Sequence, residues 1–317
     1  MSNTERRTTL PEFPGTPCPS QPVLERIDTH LAWVGQLPIH RALPGRWRRM
    51  VGAWCFLDHI GPTELAAGDG LHVGPHPHIG LQTFTWMIEG EILHRDSLGC
   101  TQPIRPGQVN LMTAGRGIAH SEDAESPGAG RLHAVQLWIA LPESQRRCAP
   151  AFQHYPDLPV MNQGGFRLTV LAGILSGERA PAEFHSPIIG LDLAADGPAR
   201  MDLPLETRFE HAVLVLNGEV HVESETLPPD TLLYLGTGRR QLRLESRADS
   251  RLMLIGGEPF GEQILLWWNF VARQPEEIEQ AGRAWNEHRH FGEVQGSPSP
   301  RLVAPDITGL QRRPGQS

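Results

Sequence analysis

The chain of 317 residues predicts an all-β protein with an internal duplication and one short helix near its C-terminus. Three observations carry that reading. Gly, Pro, Asn and Asp recur roughly every 8 to 12 residues between short β-branched and aromatic runs, the rhythm of a β-sandwich or barrel. The block from Phe84 to His94, turning at Glu89-Gly90, is echoed by Ala212 to Val222, turning at Asn217-Gly218. The run from Arg105 to Met112 is echoed in the same way by Pro228 to Leu235, so two copies of one β unit follow each other.

In chain order, residues 1–27 form a proline-rich arm with little apolar periodicity. The first β unit spans 28–145, with an edge strand announced from Arg26 to Trp33. Arg46, Arg48 and Arg49 around Trp47 read as a solvated strand or turn whose Arg stems cover apolar surface, or else as a guard for an anionic substrate or a partner contact. The apolar run that follows is expected to stop at Gly61-Pro62, and the small residues of 63–75 suit a loop. Leu81 to Ile88 and Glu91 to His94 flank the Glu89-Gly90 turn as a hairpin, and Gln108 to Met112 and Leu132 to Leu141 add further strands. Residues 146–165 lose the alternation and read as a linker; the second unit spans 166–272. Within 273–292 a helix is expected. Pro275 suits its first turn, Glu276, Glu277 and Glu279 suit the positive end of its dipole, and Ile278, Ala281 and Trp285 share a face. The tail, 293–317, should be unstructured or draped on a neighbour.

Composition removes several function classes. A formal charge of −8 argues against a surface built for nucleic-acid phosphates. No stretch approaches the roughly 20 apolar residues of a membrane helix, and polar Met1 to Leu10 is not a secretory leader. Cys18, Cys55, Cys100 and Cys148 form no CxxC pair and read as reduced thiols in a cytoplasmic protein.

Chemistry concentrates between Gly74 and Glu122. His76 and His78 are separated by one residue, as are His120 and Glu122; on extended backbone each pair points to one face. Pro75 and Pro77 stiffen both sides of His76, and Gly115 and Gly117 permit a tight turn that delivers His120 inward. Two such strands facing each other in a small barrel bring three neutral imidazoles and one carboxylate onto one divalent ion, with coordination positions left open. His288 and His290 fit cations at a helix C-terminus better than ligands. Asp58 and His59 either orient a ligand imidazole or cap a strand end. His94 and Asp96 read as a satisfied surface pair, and Phe84 and Trp86, in register with Gln82, as core.

The segments Phe56-Leu57-Asp58-His59, His76-Pro77-His78-Ile79-Gly80, Gly90 to Ser97, Met112 to Glu122 and Leu137-Trp138 together resemble the pirins, members of the cupin superfamily. The likeness is specific from about residue 28 to 145 and looser to 292, through Gly257 to Glu262 and the helix. It implies a bicupin of two antiparallel, jelly-roll-like β-barrels with one mononuclear metal, usually iron, in the first. The second copy has no His pair at the matching place and no counterpart of His120. Carried over, the ligands are His76, His78, His120 and Glu122. Gln82 stands where many cupins place a liganding glutamate, so Glu122 would supply the carboxylate and Gln82 would stand behind a ligand or line the site.

Several pirins resemble quercetin 2,3-dioxygenases. The resemblance implies Fe(II), with Mn, Co, Ni, Cu or Zn as alternatives, and a small aromatic substrate with O2. A flavonol such as quercetin, or a related enolisable aromatic, would lose its 3-hydroxyl proton to Glu122 as the catalytic residue and be cleaved with loss of carbon monoxide. The alternative is a non-enzymatic, redox-responsive regulator acting through a protein partner, with neither membrane nor nucleic acid involved.

Overall fold

Each β unit folds into a large and a small antiparallel sheet, and the two resulting jelly-roll-like barrels make the chain an all-β bicupin. The computed structural model describes residues 12–13, 21–35, 37–66, 70–125 and 130–306. In the first barrel the large sheet runs, in spatial order, Ala151–Tyr155, Val109–Thr113, Leu81–Glu89, Gly130–Ala140, Trp54–Leu65, Leu37–Leu43 and His30–Val34. Its small sheet runs Gly70–His78, Ile118–Glu125, Ile92–Asp96 and Thr101–Ile104. The second barrel repeats this plan. Its large sheet runs Glu25–Asp28, Thr231–Gly236, Glu210–Asn217, Asp249–Gly257, Ile188–Asp196, Phe166–Ala172 and Val160–Gln163. Its small sheet runs Ala199–Pro204, Gln241–Ser246, Val220–Val222 and Glu225–Leu227.

The duplication is therefore structural as well as sequential, with an exchange at the edges. Glu25–Asp28, from the expected arm, completes the second barrel, and the expected linker 146–165 supplies one edge strand to each barrel. The two large sheets pack on each other. Phe84, Trp86, Leu111, Val135 and Leu137 meet Leu214, Leu232, Tyr234, Met253 and Ile255 in one buried core. Both faces of the central strands of those sheets, such as Leu81–Glu89 and Glu210–Asn217, are covered, which is why they read as continuous apolar runs.

Several sequence expectations are corrected. Glu89-Gly90 and Asn217-Gly218 do not close hairpins: in each barrel the turn carries the chain from the large sheet to the small one. Gly90 (φ 88°) and Gly218 (φ 72°) allow this because a Cβ at either place would meet a neighbouring carbonyl oxygen at 2.6 or 2.3 Å. Gly61-Pro62 does not stop its strand, which runs on to Leu65. The pair sits in a bulge between the pairings Ile60–Ala134 and Thr63–Leu132, where no ladder hydrogen bond is asked of proline. Much of the expected loop 63–75 is likewise strand, because its glycines let another backbone come close; a Cβ on Gly74 would lie 2.0 Å from the Pro300 carbonyl oxygen.

The helix Pro275–Asn286 lies where expected, with Ile278, Ala281 and Trp285 buried and the Glu277 carboxylate accepting from the backbone N–H of Arg273 and Gln274. Residues 293–306 of the tail drape over the first barrel: Leu302 N–H donates to the Pro75 carbonyl (2.9 Å) and Trp285 Nε1–H to that of Leu302 (2.7 Å). Arg48 spans the two barrels, bonded to Glu25 and lying 3.7 Å over the Tyr234 ring, as a stem covering apolar surface. Cys55, Cys100 and Cys148 are free thiols, and burial pushes Cys55 up to about 12. Cys18, residues 1–11 and 14–20 of the arm, and 307–317 of the tail lie outside the described residues. No described helix is long and apolar enough to cross a membrane.

Candidate metal centre

Strands Gly70–His78 and Ile118–Glu125 are neighbours in the small sheet of the first barrel, and their register sets His76 directly opposite His120. The i, i+2 spacing then places His78 on the same face as His76. Between His120 and Glu122 the register shifts, so that Glu122 lies opposite Val73 on one side and His94 on the other. The extra residue lies in Gly74-Pro75, the segment that the tail holds through Pro300 and Leu302.

The three imidazoles are buried, and one ring nitrogen from each lies within 4.8 Å of the others. The His78 and His120 Nε2 atoms are 3.0 Å apart, and His76 Nε2 is buried with no hydrogen-bond partner. The far side of each ring fixes where its proton sits. His76 Nδ1 is 2.9 Å from the Gly74 carbonyl oxygen and His78 Nδ1 is 3.0 Å from that of Asn269; a carbonyl only accepts, so both rings carry their proton on Nδ1. His120 Nδ1 is 3.3 Å from His94 Nδ1, and His94 Nε2 is 3.1 Å from Asp96 Oδ2. Burial opposes ionisation of Asp96, but bonds from His94 and from the N–H groups of Cys100 and Leu98 hold its carboxyl below the usual value. The carboxylate draws the His94 proton to Nε2, leaving His94 Nδ1 to accept from His120 Nδ1–H. All three Nε2 lone pairs therefore point at one another without a proton between them.

Such an arrangement is repulsive unless a cation occupies its centre. Burial also keeps the rings neutral: it pushes His76 down to about 3, against the pull of the Gly74 carbonyl and the Glu122 carboxylate, and it drives His78 and His120 well down as well. Neutral imidazoles with Nδ1 bonded outward and Nε2 directed inward are the form in which histidine binds a metal. These residues fit a divalent ion. Glu122 is almost wholly buried and its carboxylate is felt by His76, but it does not join the three imidazoles in the group whose donor atoms lie within 4.8 Å of one another.

Aromatic rings wall the site. His78 meets Trp138 edge-on at 5.2 Å, Trp138 stacks on Phe56 at 4.0 Å, and the Arg41 guanidinium covers Phe56 at 4.4 Å. Phe152, from the edge strand Ala151–Tyr155 of the first barrel's large sheet, stacks on His94 at 4.2 Å. Other expectations fall elsewhere. Asp58 is engaged by Arg41 at 2.7 and 2.8 Å, and His59 bridges Asp230 of the second barrel (2.7 Å) and His133 (2.9 Å), so neither is seen to orient a ligand or cap a strand. Gln82 shares its face with Phe84 and Trp86, bonds Thr113 across the sheet, and faces the second barrel instead of lining the centre. His94 and Asp96 do pair, but buried behind His120 and not on the surface. Their i, i+2 spacing, the same as in both proposed ligand pairs, was the signal that could have found them. His290 lies at the helix end and bonds the Arg116 carbonyl (2.8 Å).

Family profiles match the chain twice, Pirin over residues 36–139 and the Pirin C-terminal cupin domain over 190–292. A Pseudomonas aeruginosa protein named "Putative quercetin 2,3-dioxygenase" is 50% identical over 309 residues, covering 97% of this chain and 98% of its own. A Caulobacter vibrioides "Pirin-like protein" is 36% identical over 263 residues, covering 81% of this chain and 90% of its own. The crystal structure of a quercetin 2,3-dioxygenase from Acinetobacter baumannii, 47% identical, superposes with a TM-score of 0.88 over 91% of this chain and 97% of that one. The two profiles fall on the two barrels in the same order, and the relatives align over nearly their whole lengths. The chain belongs to the pirin family.

Proposed function

We propose that this protein is a mononuclear metal-dependent dioxygenase that cleaves a flavonol such as quercetin, or a related enolisable aromatic, with O2. The reading rests above all on the convergence of three proton-free Nε2 atoms on buried imidazoles. It is supported by 50% identity to a relative named for that activity. In this reading His76, His78 and His120 hold the ion through Nε2 and Glu122 adds a carboxylate oxygen. Fe(II) is the ion we propose; the mixed nitrogen and oxygen set also suits Mn, Co, Ni, Cu and Zn. When bound, the metal supplies Lewis acidity toward the 3-hydroxyl and redox access to O2.

The chain's own residues do the rest. Glu122 takes the 3-hydroxyl proton, as ligand or after loosening. Trp138 and Phe56 give a planar aromatic substrate an apolar wall and keep water away from the reacting atoms. Gly74, Asn269 and His94 hold the imidazoles in one orientation, so that the donors stand ready before substrate arrives. Anaerobic purification, metal analysis and oxygen-electrode traces with quercetin test the reading, with wild type set against Glu122→Ala. The expected result is about one metal per chain and oxygen uptake that the substitution abolishes. Stoichiometric metal without uptake would transfer the protein to the redox-responsive binding role, and absence of metal would overturn the centre itself.

A further inference from the structure

A cleft of about 540 Å³ lies between the first barrel and the C-terminal helix, on the outer side of the turn that leads into His120. Its floor is apolar, from Ile79, Val271, Ala281 and Phe291. Among the described residues its walls carry five arginines, Arg116, Arg146, Arg147, Arg283 and Arg289, against one acidic lining residue, Glu277. In a chain of net charge −8 this concentration runs against the composition.

The arginines are not all accounted for by ion pairs. Arg146 and Arg147 both reach the same Glu277 oxygen at 2.7 Å, which holds two guanidinium groups side by side; Glu143 at the rim also meets Arg146, and Glu287 meets Arg289. The Glu277 carboxylate, although burial opposes its charge, is brought down to about 2 by bonds from the Arg273 N–H and from Arg146 and Arg147, so it is already saturated. Arg116 from the barrel and Arg283 from the helix line the cleft, and neither is in an ion pair with any described residue. The backbone from which Arg116 projects packs on the helix end: its carbonyl accepts from His290 Nε2–H at 2.8 Å, and a Cβ on Gly117 would lie 3.0 Å from the His290 ring. Both side chains are exposed, so their guanidinium groups are open to an anion entering the cleft.

We infer that this cleft is a second ligand site, separate from the metal centre, that takes a compact organic polyanion through Arg116 and Arg283. The chemistry is that of a phosphate or a dicarboxylate on an apolar body: guanidinium forks match planar or tetrahedral oxyanions, and the floor accepts the carbon skeleton.

Isothermal titration of the metal-loaded full chain with inorganic pyrophosphate, and separately with succinate, tests this. Saturable binding of at least one probe is expected, with about a tenfold or greater loss of affinity in Arg116→Ala/Arg283→Ala. Both substitutions spare the backbone contacts, and Ala favours the helix. Tighter binding of pyrophosphate marks a phosphate ligand, and tighter binding of succinate a dicarboxylate. Arg179→Ala/Arg247→Ala, at exposed positions outside the cleft, removes the same charge and should leave affinity unchanged. Three results would overturn the site: no saturable binding of either probe, undiminished affinity in the cleft variant, or an equal loss in the control.

Discussion

The two barrels share a strand plan and differ in what fills them. In the first, His76 stands opposite His120, and Glu122 opposite His94. At the matching places in the second, Leu203 stands opposite Leu242, and Leu244 opposite Val222, all fully buried in an aliphatic core with Leu191, Leu193 and Leu252. Burying each such leucine stabilises a fold by about 1.5–3 kcal/mol. An imidazole nitrogen buried without a partner costs about 1–3 kcal/mol instead. The second barrel can therefore stand on packing alone, while the first carries an internal cost that a bound cation removes. One topology accepts both fillings because the strand ladder is made by backbone, and side chains of either kind can occupy the inward face.

That contrast can be broken deliberately. The largest effect is expected from His76→Ala, which should bring metal content from about one per chain to nearly none by elemental analysis. Retention of stoichiometric metal would mean that His76 is not a ligand. In the second barrel, Leu244→Ala should cost about 2–5 kcal/mol in denaturant unfolding while metal content stays unchanged. A parallel loss of metal would show that the barrels are not independent in this respect.

His94→Ala sharpens the comparison within the first barrel. It removes the group that accepts from His120 Nδ1–H, and metal affinity measured by chelator competition should fall about 10–100-fold. Wild-type affinity in that variant would reduce His94 to packing against Phe152.

The smallest effect concerns the seam between the barrels and should appear only in acid. Burial first, then His59, Arg251 and Arg131, bring the His133 imidazole down to about 3. Below its ordinary value of 6.5 the unfolded chain takes up a proton that the folded chain refuses until about pH 3. Stability contributed by neutral His133 is thus present above 6.5 and lost as pH falls toward 3, by up to about 1.4 kcal/mol per pH unit. His133→Gln should flatten the fall in stability between those limits, and an unaltered slope would remove His133 from the acid response.

Much of the architecture was open to reading in one dimension. Turn residues mark the strands, Asn217-Gly218 and Glu89-Gly90 reveal the duplication, and Pro275 with Glu277 marks the helix start. Where the reading failed, the missing quantity was a distant partner. The turns looked like hairpins because local signals show that a chain reverses, not which sheet receives it. Gly61-Pro62 and the glycines of 63–75 looked like breakers because their use as bulges and close approaches depends on Leu132, Ala124 and Pro300. Asp58 and His59 met Arg41, His133 and Asp230, which lie 17 to 171 residues away along the chain.

The candidate centre divides along the same line. Spacing offers His76 with His78 and His120 with Glu122 as candidate pairs, but it offers His94 with Asp96 and His288 with His290 equally; the flanking Pro75, Pro77, Gly115 and Gly117 and the likeness to the pirins single out the first two. The orientation of each ring does not follow from spacing. It comes from the carbonyls of Gly74 and Asn269, from His94 with Asp96 behind it, and from Trp138 at the edge of His78. Asn269 is 191 residues from His78, so no local pattern can announce it. Residue types and their neighbours nominate candidate donors, and the closed barrel aims the imidazole lone pairs, because a hydrogen bond's direction depends on where distant backbone has been brought to rest.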